Sequence, residues 1–193
     1  MNILGFFKKS LDIVDKAVMK LEEFILSFSV ILISIMIIGN VIAREIFGSN
    51  IFIFHLEVSK FAIVIATFMG IAYVARKGRH ISMSAFYDFA PFKGRKIMMI
   101  AINFITAIAM FFLAYHSYLY VLSEAKYGAV TSNLQVPVWV MVMFIPLGFL
   151  MAGIQYLRNT WINIRVKDKV YLGIDAVDYN DKDKKELADE IHV

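Results

Sequence analysis

The sequence predicts an all-α integral membrane protein: four transmembrane helices in an antiparallel bundle, preceded by an amphipathic surface helix. Three observations carry that prediction. Hydrophobic residues make up 60% of the 193 and charged ones 19%, against ~45–50% and ~25% in soluble domains. The apolar residues gather into four runs, each at least as long as the ~20 residues that a hydrocarbon core requires. Between the runs, the density of Lys and Arg alternates from high to low, as the positive-inside rule demands.

Residues 1–23 form the first element. Ile3, Leu4, Phe7, Leu11, Val14, Val18 and Leu21 recur at steps of three and four, which lays them on one helix face. Lys8, Lys9, Asp12, Asp15, Lys16 and Lys20 take the other face. Such a helix suits a membrane surface with anionic head groups. A cleaved signal peptide is not expected, because the apolar run that follows is too long for an h-region.

The transmembrane domain is placed at 24–157, with spans at about 24–43, 51–75, 97–122 and 137–157. Gly48, Ser49 and Asn50 turn the chain between the first two spans. The second loop is basic, and Pro91 and Gly94 mark its turn. Pro137 opens the fourth span at a favoured first-turn position. Pro146 lies inside that span and should kink it, because it removes the bond to the carbonyl of Val142. The polar segment 158–193 is read as a cytoplasmic tail, with eight acids and four bases from Asp168 onward.

Orientation follows from the bases. Four precede the first span (Lys8, Lys9, Lys16, Lys20) and one follows it (Arg44). Six lie in the second loop (Arg76, Lys77, Arg79, Lys93, Arg95, Lys96), one in the third (Lys126), and seven after the fourth span. Both termini are therefore expected in the cytoplasm of a multi-pass inner-membrane protein. The same placement accounts for the net charge of +4 without a nucleic-acid partner. Cysteine is absent from the sequence, which excludes disulfides, thiolate metal sites and cysteine nucleophiles.

This topology places Asn40, Arg44, His55, Glu57, Lys60 and His116 in the outer half of the membrane. A charge there costs at least ~2.5 kcal/mol unless paired or interfacial. Glu57 and Lys60 are three residues apart, within reach of each other on a helix, and Arg44 can also pair with Glu57. Asn40, Arg44, Glu57 and Lys60 thus form either an ion-pair cluster that fixes helix register or a face toward a partner subunit or a solute path. His55 and His116, on different helices, fit an alternative reading as haem-b ligands of a respiratory anchor subunit. Glu57 as a proton relay would fit a small proton-coupled exporter. No G-x-S-x-G, P-loop, dinucleotide fingerprint or H-E-x-x-H is present, so no enzyme activity, metal or cofactor is expected.

Several segments then line up in order. The first span ends Asn40-Val-Ile-Ala-Arg44-Glu-Ile-Phe47-Gly48, and Glu57 stands near the start of the second. The second span closes on Gly70-Ile-Ala-Tyr-Val-Ala-Arg76-Lys-Gly-Arg79-His80-Ile81. The fourth opens Leu134-Gln-Val-Pro137-Val-Trp139 and continues Ile145-Pro146-Leu147-Gly148. Over roughly residues 20–160 this resembles the small membrane subunit (DctQ-like) of tripartite ATP-independent periplasmic (TRAP) transporters. The usual two adjacent acids before the second span are here His55-Leu56-Glu57, so one acidic position is missing. The resemblance implies a non-catalytic scaffold for uptake of a carboxylate solute of the C4-dicarboxylate or sialic acid type, driven by an ion gradient such as sodium. It implies a large TRAP membrane subunit and a periplasmic substrate-binding protein as partners. It makes Arg76, Arg79 and His80 a cytoplasmic motif, and Glu124 and Lys126 a periplasmic docking position.

Overall fold

A computed structural model describes residues 3–48, 53–77, 91–166, 170, 171 and 173. It is all-helical. Helix α1 is Ile3–Phe47, α2 is His55–Lys77 and α3 is Phe92–Tyr127. A short α4, Val138–Val142, leads into α5, Phe144–Arg165. Four stretches are long and apolar enough to cross a membrane: Ala17–Ile46, His55–Lys77, Phe92–Tyr127 and Val138–Arg165. Among the described residues, β pairing is confined to one isolated bridge, Val130 with Pro137.

The helices outrun the apolar segments, because lipid sets where a helix must be apolar and not where it must stop. Glycines set two of the stops. Gly48 and Gly128 have φ of 65° and 64°, the left-handed conformation of a helix C′ position. Their amides donate to the carbonyls of Arg44 and Glu124 at 2.9 and 3.2 Å. At its start α2 uses the Phe54 carbonyl, which accepts from Glu57 and Val58 at 3.1 Å each.

The structure gives no support to a separate surface helix over 1–23. The 45 residues of α1 form one helix. The junction Leu21-Glu22-Glu23-Phe24 holds no glycine or proline to interrupt the backbone ladder, and Glu22 is fully buried. At ~1.5 Å per residue, 30 residues span roughly 45 Å, more than a hydrocarbon core of ~30 Å; the apolar stretch Ala17–Ile46 has that length.

In the fourth span the expected interruption is present. The helix breaks at Met143, between α4 and α5. Pro146 lacks the N–H that would reach Val142, so the ladder lapses there. Pro137 takes a different place from the one expected. It caps α4 from outside, with φ −58° and ψ 129°, and neither starts the helical turn nor kinks it. Its carbonyl accepts from Val140 at 3.1 Å.

The described contacts form two units, each considered by itself: residues 1–73 with 110–152, and residues 74–109 with 153–193. Among the described residues, alanine dominates the buried hydrophobic positions. Ala43, Ala62, Ala72, Ala75, Ala107, Ala114 and Ala152 are all buried, while Phe24, Ile31, Ile35, Ile105 and Phe112 stand exposed. Lipid tails are as apolar as leucine, so helices associate in membranes through small residues that permit close approach. Gly148 shows this in the first unit. A Cβ added to it would lie 2.3 Å from the Phe68 carbonyl oxygen. Edge-to-face rings flank the contact, Phe61 with Phe144 at 5.6 Å and Phe68 with Phe149 at 5.1 Å.

In the second unit, side-chain amides stitch the backbone. Asn159 Nδ2 donates to the Ala75 carbonyl at 3.1 Å. Asn163 donates to the carbonyls of Asn159 and Tyr171 at 3.0 and 2.8 Å, and accepts from the Tyr171 amide at 2.8 Å. That single amide thereby folds the chain back after α5. Arg76 and Arg95 are also buried, each 2% exposed. Arg76 was expected in the basic second loop; it belongs instead to the last turn of α2, inside this polar interior.

Candidate functional site

The site is built on the start of α2 and the connection between α3 and α4. The connection is ordered by its own hydrogen bonds. Thr131 N donates to the Val136 carbonyl and Val138 N to that of Ala129, both at 2.9 Å. Val136 N donates to Thr131 Oγ1 at 3.1 Å. These bonds make a hairpin-like loop, and Gln135 beyond its tip adopts the left-handed region at φ 55°. Such a conformation is uncommon outside glycine and is kept where surrounding bonds fix it.

The tip closes on Glu57. Its Oε1 accepts from the Asn133 backbone amide at 2.8 Å and from Asn133 Nδ2 at 3.1 Å. Its Oε2 accepts from the Leu134 amide at 2.9 Å. Asn133 Nδ2 also reaches the Ile53 carbonyl at 3.3 Å. A carboxylate with two oxygens suits two consecutive backbone amides, and charge-assisted bonds are stronger than neutral ones. An acid in the first turn of α2 also complements the helix dipole. Glu57 is thus a latch that joins residues 76 and 77 positions apart.

The structure does not bring the four cluster residues together as expected. Glu57 pairs with neither Lys60 nor Arg44 among the described residues. Its carboxylate is turned to the loop, which supplies its donors. Lys60 is exposed. Arg44 lies 3.4 Å from Glu45, with side chains 59% and 71% exposed, a kind of pair worth ~0–1 kcal/mol. Asn40 Nδ2 and His55 Nε2 hydrogen-bond at 3.3 Å, which ties α1 to the start of α2. The ring of His116 stacks edgewise on Phe112 at 4.3 Å and Tyr115 at 5.6 Å. Glu124 is half-buried in the last turn of α3, and Lys126 beside it is exposed. Arg79 and His80 lie outside the described residues, as do residues 174–193 of the tail.

Sequence reasoning missed Asn133 and Leu134. The available signal was a lone acid near the start of a span with no fixed base beside it, and an Asn in a loop at the same depth. It also missed Asn159 and Asn163, because the fourth span was ended at Leu157 on apolarity alone.

Helices of this length, closed on small residues and joined by an ordered polar connection, define a membrane subunit. The chain matches the DctQ component of tripartite ATP-independent periplasmic transporters over residues 33–166, and it belongs to that family. It is 42% identical over 165 residues to the ectoine TRAP transporter small permease protein TeaB of Halomonas elongata, a match covering 86% of this chain and 84% of that one. The protein is therefore a small TRAP permease subunit. This class, and not a respiratory anchor or a self-contained exporter, is where the chain stands.

Proposed function

We propose that the protein is the non-catalytic scaffold subunit of a binding-protein-dependent, ion-gradient-driven uptake system in a bacterial inner membrane. Both termini face the cytoplasm, and the latched loop at 128–137 faces the periplasm. The partners are the large TRAP membrane subunit and a periplasmic substrate-binding protein. The observation that carries this reading is the interior of the first unit. Gly148 against Phe68 leaves no room even for a methyl group, which suits a rigid support for a moving partner better than a moving part.

The docking surface for the binding protein is the loop that Glu57 holds, together with Glu124 and Lys126 at the end of α3. Tyr127, 82% exposed, stands beside it. Arg44 and Lys60 face the large subunit, Asn40 supports them from inside the chain through His55, and Arg76, Arg79 and His80 serve at the cytoplasmic end. The solute is a carboxylate. Ectoine, named for the relative, is a zwitterion with one carboxylate, so the class is wider than the C4-dicarboxylates and sialic acids first expected. Sodium is the coupling ion of this reading.

Reconstitution tests it. The chain should co-purify with the large subunit. Vesicles holding both, supplied with the binding protein and an inward sodium gradient, should accumulate a labelled solute from a panel of ectoine, a C4-dicarboxylate and a sialic acid. Transport by this chain alone, or none of the panel moving with all three components present, would sink the proposal.

A further inference from the structure

A second feature lies at the other end of α3, in the second unit. Phe92, Lys93, Lys96, Ile97, Ile100 and Ile164 line an open cleft of about 400 Å³. Lys93, Lys96 or Ile97, and Ile100 follow at helical spacing, so they share one face of α3. The lysines come first along the chain and the isoleucines after them. The seven steps from Lys93 to Ile100 cover ~10 Å along the axis. One end of the cleft is therefore cationic and the rest aliphatic. Lys93 is exposed. Lys96 Nζ donates to the Val166 carbonyl just beyond α5, and an ammonium with three protons keeps two for another acceptor.

The end of α5 marks the same level as a membrane interface. Trp161 is 58% exposed, and the Arg165 guanidinium lies 4.9 Å from its ring centre. Exposed tryptophans gather at the boundary between hydrocarbon and water. A larger cleft of about 590 Å³ in the first unit, between α3 and the α4–α5 break, is lined by Tyr118, Trp139 and Leu147 among others and by no lysine or arginine. Cationic and aliphatic groups coincide only in the smaller one of these two.

We propose that the cleft formed by Phe92, Lys93, Lys96, Ile97, Ile100 and Ile164 binds an anionic phospholipid. Its phosphate sits between the two ammonium groups, and one acyl chain runs along the isoleucines. The charge complementarity selects the headgroup, and the apolar floor selects a lipid over a free anion.

The full-length protein, purified in detergent with its large partner, is titrated with phosphatidylglycerol or phosphatidylcholine of the same acyl chains. Bound lipid is counted by native mass spectrometry. Phosphatidylglycerol should be retained well above phosphatidylcholine. Lys93→Gln should lower phosphatidylglycerol retention about fivefold, the value of one lysine at an anionic surface, and leave phosphatidylcholine unchanged. Ile100→Trp, which fills the floor, should lower both. Lys93 is exposed, so its variant remains informative even where Ile100→Trp fails to fold. Equal retention of the two lipids, an unchanged Lys93→Gln variant, or displacement of phosphatidylglycerol by excess inorganic phosphate would each overturn the proposal.

Discussion

Two glycines in the first unit separate what space permits from what composition permits. A Cβ at Gly70 would meet the Leu26 Cδ2 at 3.3 Å, the mobile end of a side chain. A Cβ at Gly148 would meet the backbone of Phe68, with the carbonyl oxygen at 2.3 Å and the carbonyl carbon at 2.6 Å. Backbone in a helix has nowhere to go. Gly148→Ala should therefore cost ~1–3 kcal/mol or more, as overpacking does, while Gly70→Ala should be close to neutral. Thermal unfolding of the two variants in detergent checks this; equal midpoints would contradict it. Glu57 and Asn133 make a second graded pair. Glu57→Gln removes the charge and places an amide against donor N–H groups. Asn133→Ala leaves both backbone donors in place. Uptake measured against binding-protein concentration should fall several-fold in Glu57→Gln and less in Asn133→Ala. The reverse order would exclude the backbone amides as the main partners of the carboxylate.

Among the elements, the spans were legible because length and apolarity are local properties. The break in the fourth span was legible too, since Pro146 declares a missing donor for the carbonyl four residues before it. What Glu57 bonds was not legible. Helical spacing offered Lys60 as the partner. It could not weigh three N–H donors delivered from a loop 76 positions away. Nor could apolarity alone find the ends of α1 and α3. Gly48 and Gly128 did signal them, each standing one residue past the last helical turn. The junction near residue 23 was read as a boundary because the pattern changes from two-faced to uniformly apolar, but a change of face is not a change of backbone. For the fourth span, Pro146→Ala restores the donor and should rejoin α4 to α5 through Met143. Nitroxides at introduced cysteines 139 and 154 should then report a narrower distance distribution than in the unsubstituted chain. An unchanged distribution would show that another contact sets the break.

The whole molecule carries no cysteine, so single introduced thiols report its orientation without background. Ser132→Cys, in the loop held by Glu57, should react with an impermeant maleimide in intact cells. Ser84→Cys, in the second loop, should react only after the membrane is opened. Both reactions following the same pattern would refute the assigned topology. The alternation of bases that predicts this result and the packing of small residues are independent features. The first bears on which way the protein faces, and the second on how closely its helices approach.

The latch at Glu57 has a consequence for encounter. A free ten-residue connection would sample many conformations and would have to abandon most of them when another protein settles on it. Here the cross-strand bonds and the carboxylate have already removed that freedom. A visitor thus meets a shape that exists before contact. For the docking proposed above, recognition would lose little entropy to ordering, and the association rate would be limited by collision and orientation, with no folding step to wait for.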